Sequence, residues 1–142
     1  MDYRMVFQIA SAGMALEKQR LDVAALNLAN MNSSAPAGQA PYAARKVVAQ
    51  ALTVDFGRAL EQLGHAATRE VRVVAGNAAP RMVNDPGHPH ADAQGFVAYA
   101  AVDQATEMVS VATALRAYEA NVAVASTARA MAAKALELGG QG

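Results

Sequence analysis

From about Met5 to Asn30 the chain holds no proline, and Ile9, Leu16, Val23 and Asn30 recur at steps of seven with Ala12, Gln19 and Leu26 interleaved. That spacing is the seam of a heptad helix. A second apolar line, Val6, Gly13 (or Met14), Leu21 and Leu28, runs along another part of the same helix, which predicts more than one packing partner. The run Asn30-Met31-Asn32-Ser33-Ser34-Ala35-Pro36 stops it, because short polar side chains compete for the backbone and proline cannot continue the helix. Near the other end neither glycine nor proline occurs from Phe96 until Gly139, and Asp103 stands where an N-cap belongs, with Glu107 in the first turn. A second helix is therefore predicted from about Gln104 to Leu138. Its main stripe is Val111, Leu115, Tyr118, Val122, Ala125, Arg129, Ala132 and Leu136, and a second stripe is Val124, Ala128, Met131, Ala135 and Leu138.

The middle of the chain changes period. Ser33 to Tyr42, with Pro36, Gly38 and Pro41, reads as a loop. Arg45 to Val54 is rich enough in β-branched residues for a strand. Asp55 to Gly64 places Phe56, Leu60 and Leu63 at helical spacing before a glycine, so a short helix or a loop fits there. Glu70 to Val74 and Pro80 to Val83 read as two short strands around an Ala75-Gly76-Asn77 turn, and Gly95 to Tyr99 alternates once more. The predicted fold is mainly α with a small β-rich insertion. Residues 1–32 form an N-terminal axial helix, residues 33–101 a loop and a short-stranded middle domain, and residues 102–142 a C-terminal axial helix packed on the first.

A helix of that length spans about 50 Å at 1.5 Å per residue. A compact chain of this size has a radius of gyration of only about 14–15 Å. The economical arrangement is thus an antiparallel, coiled-coil-like pair of terminal helices that carries the middle domain. Each helix keeps an apolar face beyond the one its partner covers, and such faces mark interaction surfaces.

Composition narrows the function. The 142 residues suffice for one ordinary domain. Lys plus Arg equals Asp plus Glu at 12 each, so no net field concentrates nucleic acid or an anionic membrane surface. With no cysteine, disulfides, thiolate nucleophiles and cysteine-ligated metal sites are excluded. Residues Met1 to Ile9 are too short an apolar run, and too polar at Gln8, for a signal-peptide core, and no run of about 18 apolar residues suggests a bilayer span. Apolar residues make up 54% but aromatics only 5%, with alanine prominent, a composition suited to closely approaching helices more than to ligand pockets. No nucleophile elbow, phosphate loop, dinucleotide fingerprint or zincin helix is present. The reading is a non-enzymatic structural subunit with no catalytic residue, cofactor, metal or small-molecule substrate.

Three motifs resemble a known family. Ser11-Ala12-Gly13-Met14 with Arg20-Leu21-Asp22-Val23-Ala24-Ala25-Leu26-Asn27-Leu28-Ala29-Asn30-Met31-Asn32 is similar to the N-terminal signature of bacterial flagellar rod and hook proteins. Asp85-Pro86-Gly87-His88-Pro89, followed by Asp92, Gly95-Phe96-Val97 and Tyr99, resembles the stretch that distinguishes proximal-rod proteins of the FlgC type. Arg116-Ala117-Tyr118-Glu119-Ala120-Asn121-Val122 and Lys134-Ala135-Leu136 are similar to the C-terminal helix signature of the same group. The resemblance runs from about Phe7 to Leu138. It departs after Tyr99, where Ala100-Ala101-Val102 stand in place of the family's usual proline and asparagine, and in the neutral loop Ser33 to Gly38.

This resemblance implies a subunit of the flagellar rod, the driveshaft that crosses the periplasm and transmits torque for motility. It implies passage through the flagellar type III export apparatus without a cleaved signal. The implied partners are copies of the chain, rod proteins of the FlgB, FlgF and FlgG types, a FliE-type adaptor and the membrane–supramembrane ring. Expected assembly contacts are Ile9, Leu16, Arg20, Val23, Leu26, Asn27, Asn30, Asn32, Val111, Leu115, Arg116, Tyr118, Glu119, Asn121, Val122 and Leu136. Against that stand plainer readings. Asn27, Asn30 and Asn32 could cap their own helix, Tyr118 suits the core, and an exposed Arg116–Glu119 pair, worth under about 1 kcal/mol, would set register more than strength. His88, His90, Asp85 and Asp92 cluster as metal ligands do, yet the intervening prolines and glycine read more simply as turns. A helical adaptor or secreted module docking one partner is the alternative function, with a metal-dependent enzyme third.

Overall fold

The computed structural model describes residues 3–50 and 70–139. Among the described residues two long helices, α1 (Tyr3–Ala29) and α2 (Gln104–Gly139), bracket five short strands, β1 (Ser34–Ala35), β2 (Arg45–Gln50), β3 (Glu70–Ala75), β4 (Arg81–Asn84) and β5 (Phe96–Tyr99). The fold is mainly helical with a β insertion, as the change of period predicts. The expected short helix at 55–64 and the last residues of the Arg45 to Val54 strand lie outside the described residues.

Local chemistry sets the helix ends. At the close of α1 the Asn30 amide donates to the Leu26 carbonyl at 2.8 Å, and the Asn30 carbonyl accepts from both the Ser33 amide and its hydroxyl. Carbonyls that the helix no longer serves are thereby satisfied. At the start of α2, Asp103 is the N-cap, its Oδ2 accepting from the Thr106 amide at 3.2 Å and from the Thr106 hydroxyl.

The strands form two sheets. One is three-stranded in the order β1-β5-β4, antiparallel throughout, with Ser34 opposite Tyr99 and Tyr99 opposite Arg81. The other pairs β2 with β3. Two expectations need correction. Ser34–Ala35, read as loop, is a strand, because its two residues gain β5 as partner and the Ala100 amide extends the ladder to the Ser33 carbonyl at 3.0 Å. The strands on either side of Ala75-Gly76-Asn77 do not pair with each other. Five residues, Gly76 to Pro80, separate them, and the Gly76 amide donates instead to Ala44 beside β2 at 2.7 Å.

The chain divides into two compact units, one drawn from residues 1–19, 49–71 and 113–142, the other from residues 20–48 and 72–112. In the first, Ala10, Leu16 and Glu17 on α1 are buried, as are Ala114 and Ala128 on α2. Gly13 meets Asn121 so closely that a Cβ built on it would lie 2.5 Å from the Asn121 Oδ1. This contact explains a glycine inside a helix, where it costs about 1 kcal/mol relative to alanine. In the second unit Ala24, Asn27, Ala35, Val97 and Ala100 are buried. Alanine dominates both cores, so hydrophobic gain per residue is small, roughly 0.8 kcal/mol for each methylene-sized group. Close backbone approach and a few buried polar bonds do the rest.

Candidate functional site

The inner face of α1 is not the line of sevens through Ile9, Val23 and Asn30. Of that line only Leu16 is buried, whereas the second line, Val6, Gly13, Leu21 and Leu28, is half-buried beside the buried Ala10, Glu17, Ala24 and Asn27. Of the residues that periodicity ranked first, Ile9 and Leu26 point outward, at 60% and 40% exposure. On α2 the inward positions are Val111, Ala114, Tyr118, Asn121, Ala125, Ala128 and Ala132. Leu115, Val122 and Leu136 are exposed, Leu136 at 78%. Val124, Met131 and Leu138 form a second exposed line at the same step of seven. Tyr3 and Val6 join Ala123, Val124, Thr127, Ala128 and Met131 around an open apolar cleft in the first unit.

The polar residues of the N-terminal motif divide three ways. Asn27 is fully buried and uses all its hydrogen-bonding capacity within the second unit. Its Nδ2 donates to the Arg45 carbonyl at 2.9 Å and to Glu107 Oε1 at 3.1 Å. Its Oδ1 accepts from the Tyr42 hydroxyl at 2.8 Å and the Arg45 amide at 2.9 Å. One side chain thus ties the end of α1 to the start of β2 and the first turn of α2, and keeps no donor or acceptor for a neighbour. Asn30 caps its own helix, and Asn32 is exposed. Sequence reasoning gave no sign that Tyr42, Arg45 and Glu107 converge on Asn27, since they lie 15, 18 and 80 positions away.

In the C-terminal motif, Arg116 and Glu119 are exposed, Tyr118 is half-buried, and Asn121 donates to the Ala117 carbonyl at 2.8 Å while resting on Gly13. Arg20 is exposed and Val23 half-buried. The side chains predicted as contacts thus occupy both inner and outer surfaces.

The stretch from Asp85 to Gly95 is a chain of turns that leads into β5. Asp92 Oδ1 accepts from the Gln94 and Phe96 amides, each at 2.8 Å, and Gly95 holds a φ of +83° where a Cβ would meet Pro86 Cγ at 3.0 Å. His88 and His90 hydrogen-bond into this stretch and to β1, and among the described residues no three of His, Asp and Glu assemble into a metal-holding group. Nor, among them, is any helix long and apolar enough to cross a membrane.

A buried asparagine spent on internal ties, alanine-lined cores and outward leucine, valine and methionine at heptad spacing together define a structural helical subunit. Comparison with known proteins makes the class particular. Residues 93–138 match the family described as flagellar basal body rod FlgEFG protein C-terminal. The flagellar basal-body rod protein FlgC of Escherichia coli O6:H1 is 41% identical over 138 residues, spanning 94% of this chain and 96% of its own length. FlgC of Salmonella typhimurium is 40% identical over 135 residues with the same coverage, and FlgC of Bacillus subtilis 30% identical over 141, covering 92% and 94%. The chain belongs to the FlgC family of flagellar basal-body rod proteins. It is accordingly a structural component of the basal-body rod, not an enzyme.

Proposed function

We propose that this chain builds the rod through the outward faces of its two terminal helices, and that the assembled rod is the axial driveshaft carrying motor torque across the periplasm. The observation that supports it is the exposure of Ile9, Leu26, Leu115, Val122 and Leu136 on helices whose other faces are already covered. Large apolar side chains along a helix, with Leu115, Val122 and Leu136 at multiples of seven, fit a neighbouring long helix better than a compact ligand. Within the first unit Gly13 meets Asn121 while Tyr3 and Val6 line a cleft with residues 123–131, an order of contacts that supports an antiparallel axial pair. Residues 33–101 then form the outer part, and residues 1–32 and 102–142 the axial part.

Partners in this reading are further copies, rod proteins of the FlgB, FlgF and FlgG types, a FliE-type adaptor and the membrane–supramembrane ring, reached through the flagellar export apparatus. Exposed Arg20, Asn32, Arg116 and Glu119 lie where they can set the register between subunits.

The test is Leu26→Asp or Leu115→Asp in a flagellated cell lacking its own copy. Both positions are exposed, Leu26 at 40% and Leu115 at 46%, so the chain itself should lose only about 1–2 kcal/mol, well short of a buried-charge penalty. A charge placed between packed helices is costly without a partner. Export with failed rod assembly and lost motility is the expected result. Normal swimming in both variants would refute assembly through these faces.

A further inference from the structure

Val124, Thr127, Ala128 and Met131 of α2 stand at i, i+3, i+4 and i+7, and all of them line the apolar cleft of the first unit. Those positions form the hole that receives a knob when two helices pack. Ala128 is the buried member, whereas Val124 and Met131 stand exposed at the two ends of the hole. Tyr3 and Val6, about one turn apart on α1, are half-buried and complete the lining from the side. None of the described lining residues carries a charge, so the cleft suits an apolar side chain better than an ion or a polar head.

The matching knobs are on the same helix. Leu115, Val122 and Leu136 lie at multiples of seven, as Val124, Met131 and Leu138 do, and the two lines are offset by two residues. At about 100° per residue that offset sets them roughly 200° apart, on opposite flanks of α2. All six side chains are exposed. Knob and hole on opposite flanks of one helix cannot meet within a chain, but they meet between successive copies, and each copy added leaves a free knob line on its far side. Such a heterologous contact grows without closing on itself, whereas hole against hole would close a pair and stop. The 12 basic and 12 acidic residues balance, so no net charge opposes the approach of like to like.

We propose that the cleft is the receiving half of a copy-to-copy contact, filled by the Leu115, Val122 and Leu136 line of a second copy of this chain. The inference rests on rod assembly through the outward helix faces and names what the α2 knob line meets there.

The chain has no cysteine, so introduced thiols are the only ones it brings to a cross-linking test. Two variants are co-expressed in a flagellated cell lacking its own copy: Thr127→Cys in the cleft, with Leu115→Cys, Val122→Cys or Leu136→Cys on the knob line. Basal bodies isolated from swimming cells are treated with diamide, which takes up the two electrons and two protons released as the disulfide forms. A disulfide needs Cα atoms within about 7 Å, so a covalent dimer reports direct contact. Dimer is expected with at least one knob-line variant and not with Ala130→Cys, an exposed position between the two lines. No dimer at any of the knob-line positions, dimer with Ala130→Cys alone, or cross-linking of Thr127→Cys to a different rod protein would overturn the proposal. A second variant, Thr127→Trp, fills the cleft from an exposed position and should abolish swimming while leaving the helical circular dichroism of the chain unchanged. If Thr127→Trp swims while Leu26→Asp and Leu115→Asp do not, the cleft contact falls and assembly through the outward faces stands. If all of them swim, both fall.

Discussion

Asn27 is the residue whose removal the structure prices most directly. Asn27→Ala deletes four hydrogen bonds at once, two from Nδ2 and two to Oδ1, at a fully buried position. Net contributions of about 0.5–1.5 kcal/mol each would give roughly 2–6 kcal/mol. The upper part of that range is not reached, because Glu107 and Tyr42 are only half-buried and can recover water. The Arg45 amide and carbonyl, facing the emptied space, recover less. The expected loss is about 2–4 kcal/mol, with a cavity of a few heavy atoms adding to the bond term. In urea, with an m-value of about 2 kcal/mol/M, the midpoint followed by helical circular dichroism should drop by about 1–2 M. Asn27→Asp sharpens the test. It keeps both acceptances but turns the two donations into contacts of a carboxylate with the Arg45 carbonyl and with Glu107, whose Oε1 is 3.1 Å from the replaced nitrogen. Near neutrality that variant should be less stable than the alanine one, and it should recover on acidification, when a protonated carboxyl can donate again. A midpoint shift under about 0.3 M for Asn27→Ala, or an aspartate variant indifferent to pH, would show that the Asn27 bonds do not hold the second unit together.

The remaining predictions concern other parts of the chain. Gly13→Ala should destabilise by about 1–3 kcal/mol despite the better helix former, because the new methyl meets the Asn121 amide, and Asn121→Ala in the same chain should restore most of the loss, read from thermal melts of the double-mutant cycle. Asp103→Ala should lower the helical signal of the first turns of α2. The Asp103 carboxyl is held below its usual range by hydrogen bonds from the Thr106 side chain and then its backbone, so its capping contribution is present above the ordinary carboxylate range and is lost as pH falls through the lowered one. A pH titration of helicity that is identical in the natural chain and in Asp103→Ala would remove the cap from the account.

How far the sequence could be read differs by element, for physical reasons. Both long helices are legible because proline-free runs with caps such as Asp103 are local signals, and the structure places them at Tyr3–Ala29 and Gln104–Gly139, within a few residues of expectation. The strands are legible as extended segments but not in their pairing. A β-branched run such as that in Glu70–Ala75 announces a strand, whereas the choice of β2 as partner depends on Ala44, more than thirty positions away, receiving the Gly76 amide. The two-residue β1 carries no signal of its own, since its ladder comes entirely from β5. The hydrogen-bonding node at Asn27 was visible only as an asparagine in a stop-rich stretch. Local rules offered a cap or a contact, and the long-range partners Tyr42 and Glu107 decided otherwise.

The choice of inner face follows from the same distinction between local and tertiary information, and it bears on assembly. Periodicity ranks faces by hydrophobicity, so on α1 it favoured Ile9, Leu16, Val23 and Leu26. Within the chain, however, Leu16 is the one of these that is buried, and it shares the inner side with residues that allow backbones to approach, Ala10, Gly13 and Ala24 on α1 with Ala114 and Ala128 on α2. Small residues give tight, geometrically specific contacts at little apolar area, while leucine and isoleucine on the outside hold the larger transfer energy, about 1.5–3 kcal/mol for each side chain taken fully out of water. For a rod subunit that division has a consequence. If assembly runs through the outward faces as proposed, a chain whose largest apolar groups are unspent until neighbours arrive gains much of its hydrophobic stability on assembly. Moving one outward leucine to alanine, as in Leu136→Ala, should therefore leave the urea midpoint of the isolated chain nearly unchanged yet weaken the assembled rod against dissociation. If the midpoint of the isolated chain fell by as much as a buried leucine demands, about 2–5 kcal/mol in stability, the outward face would be serving the subunit's own fold and the division argued here would fail.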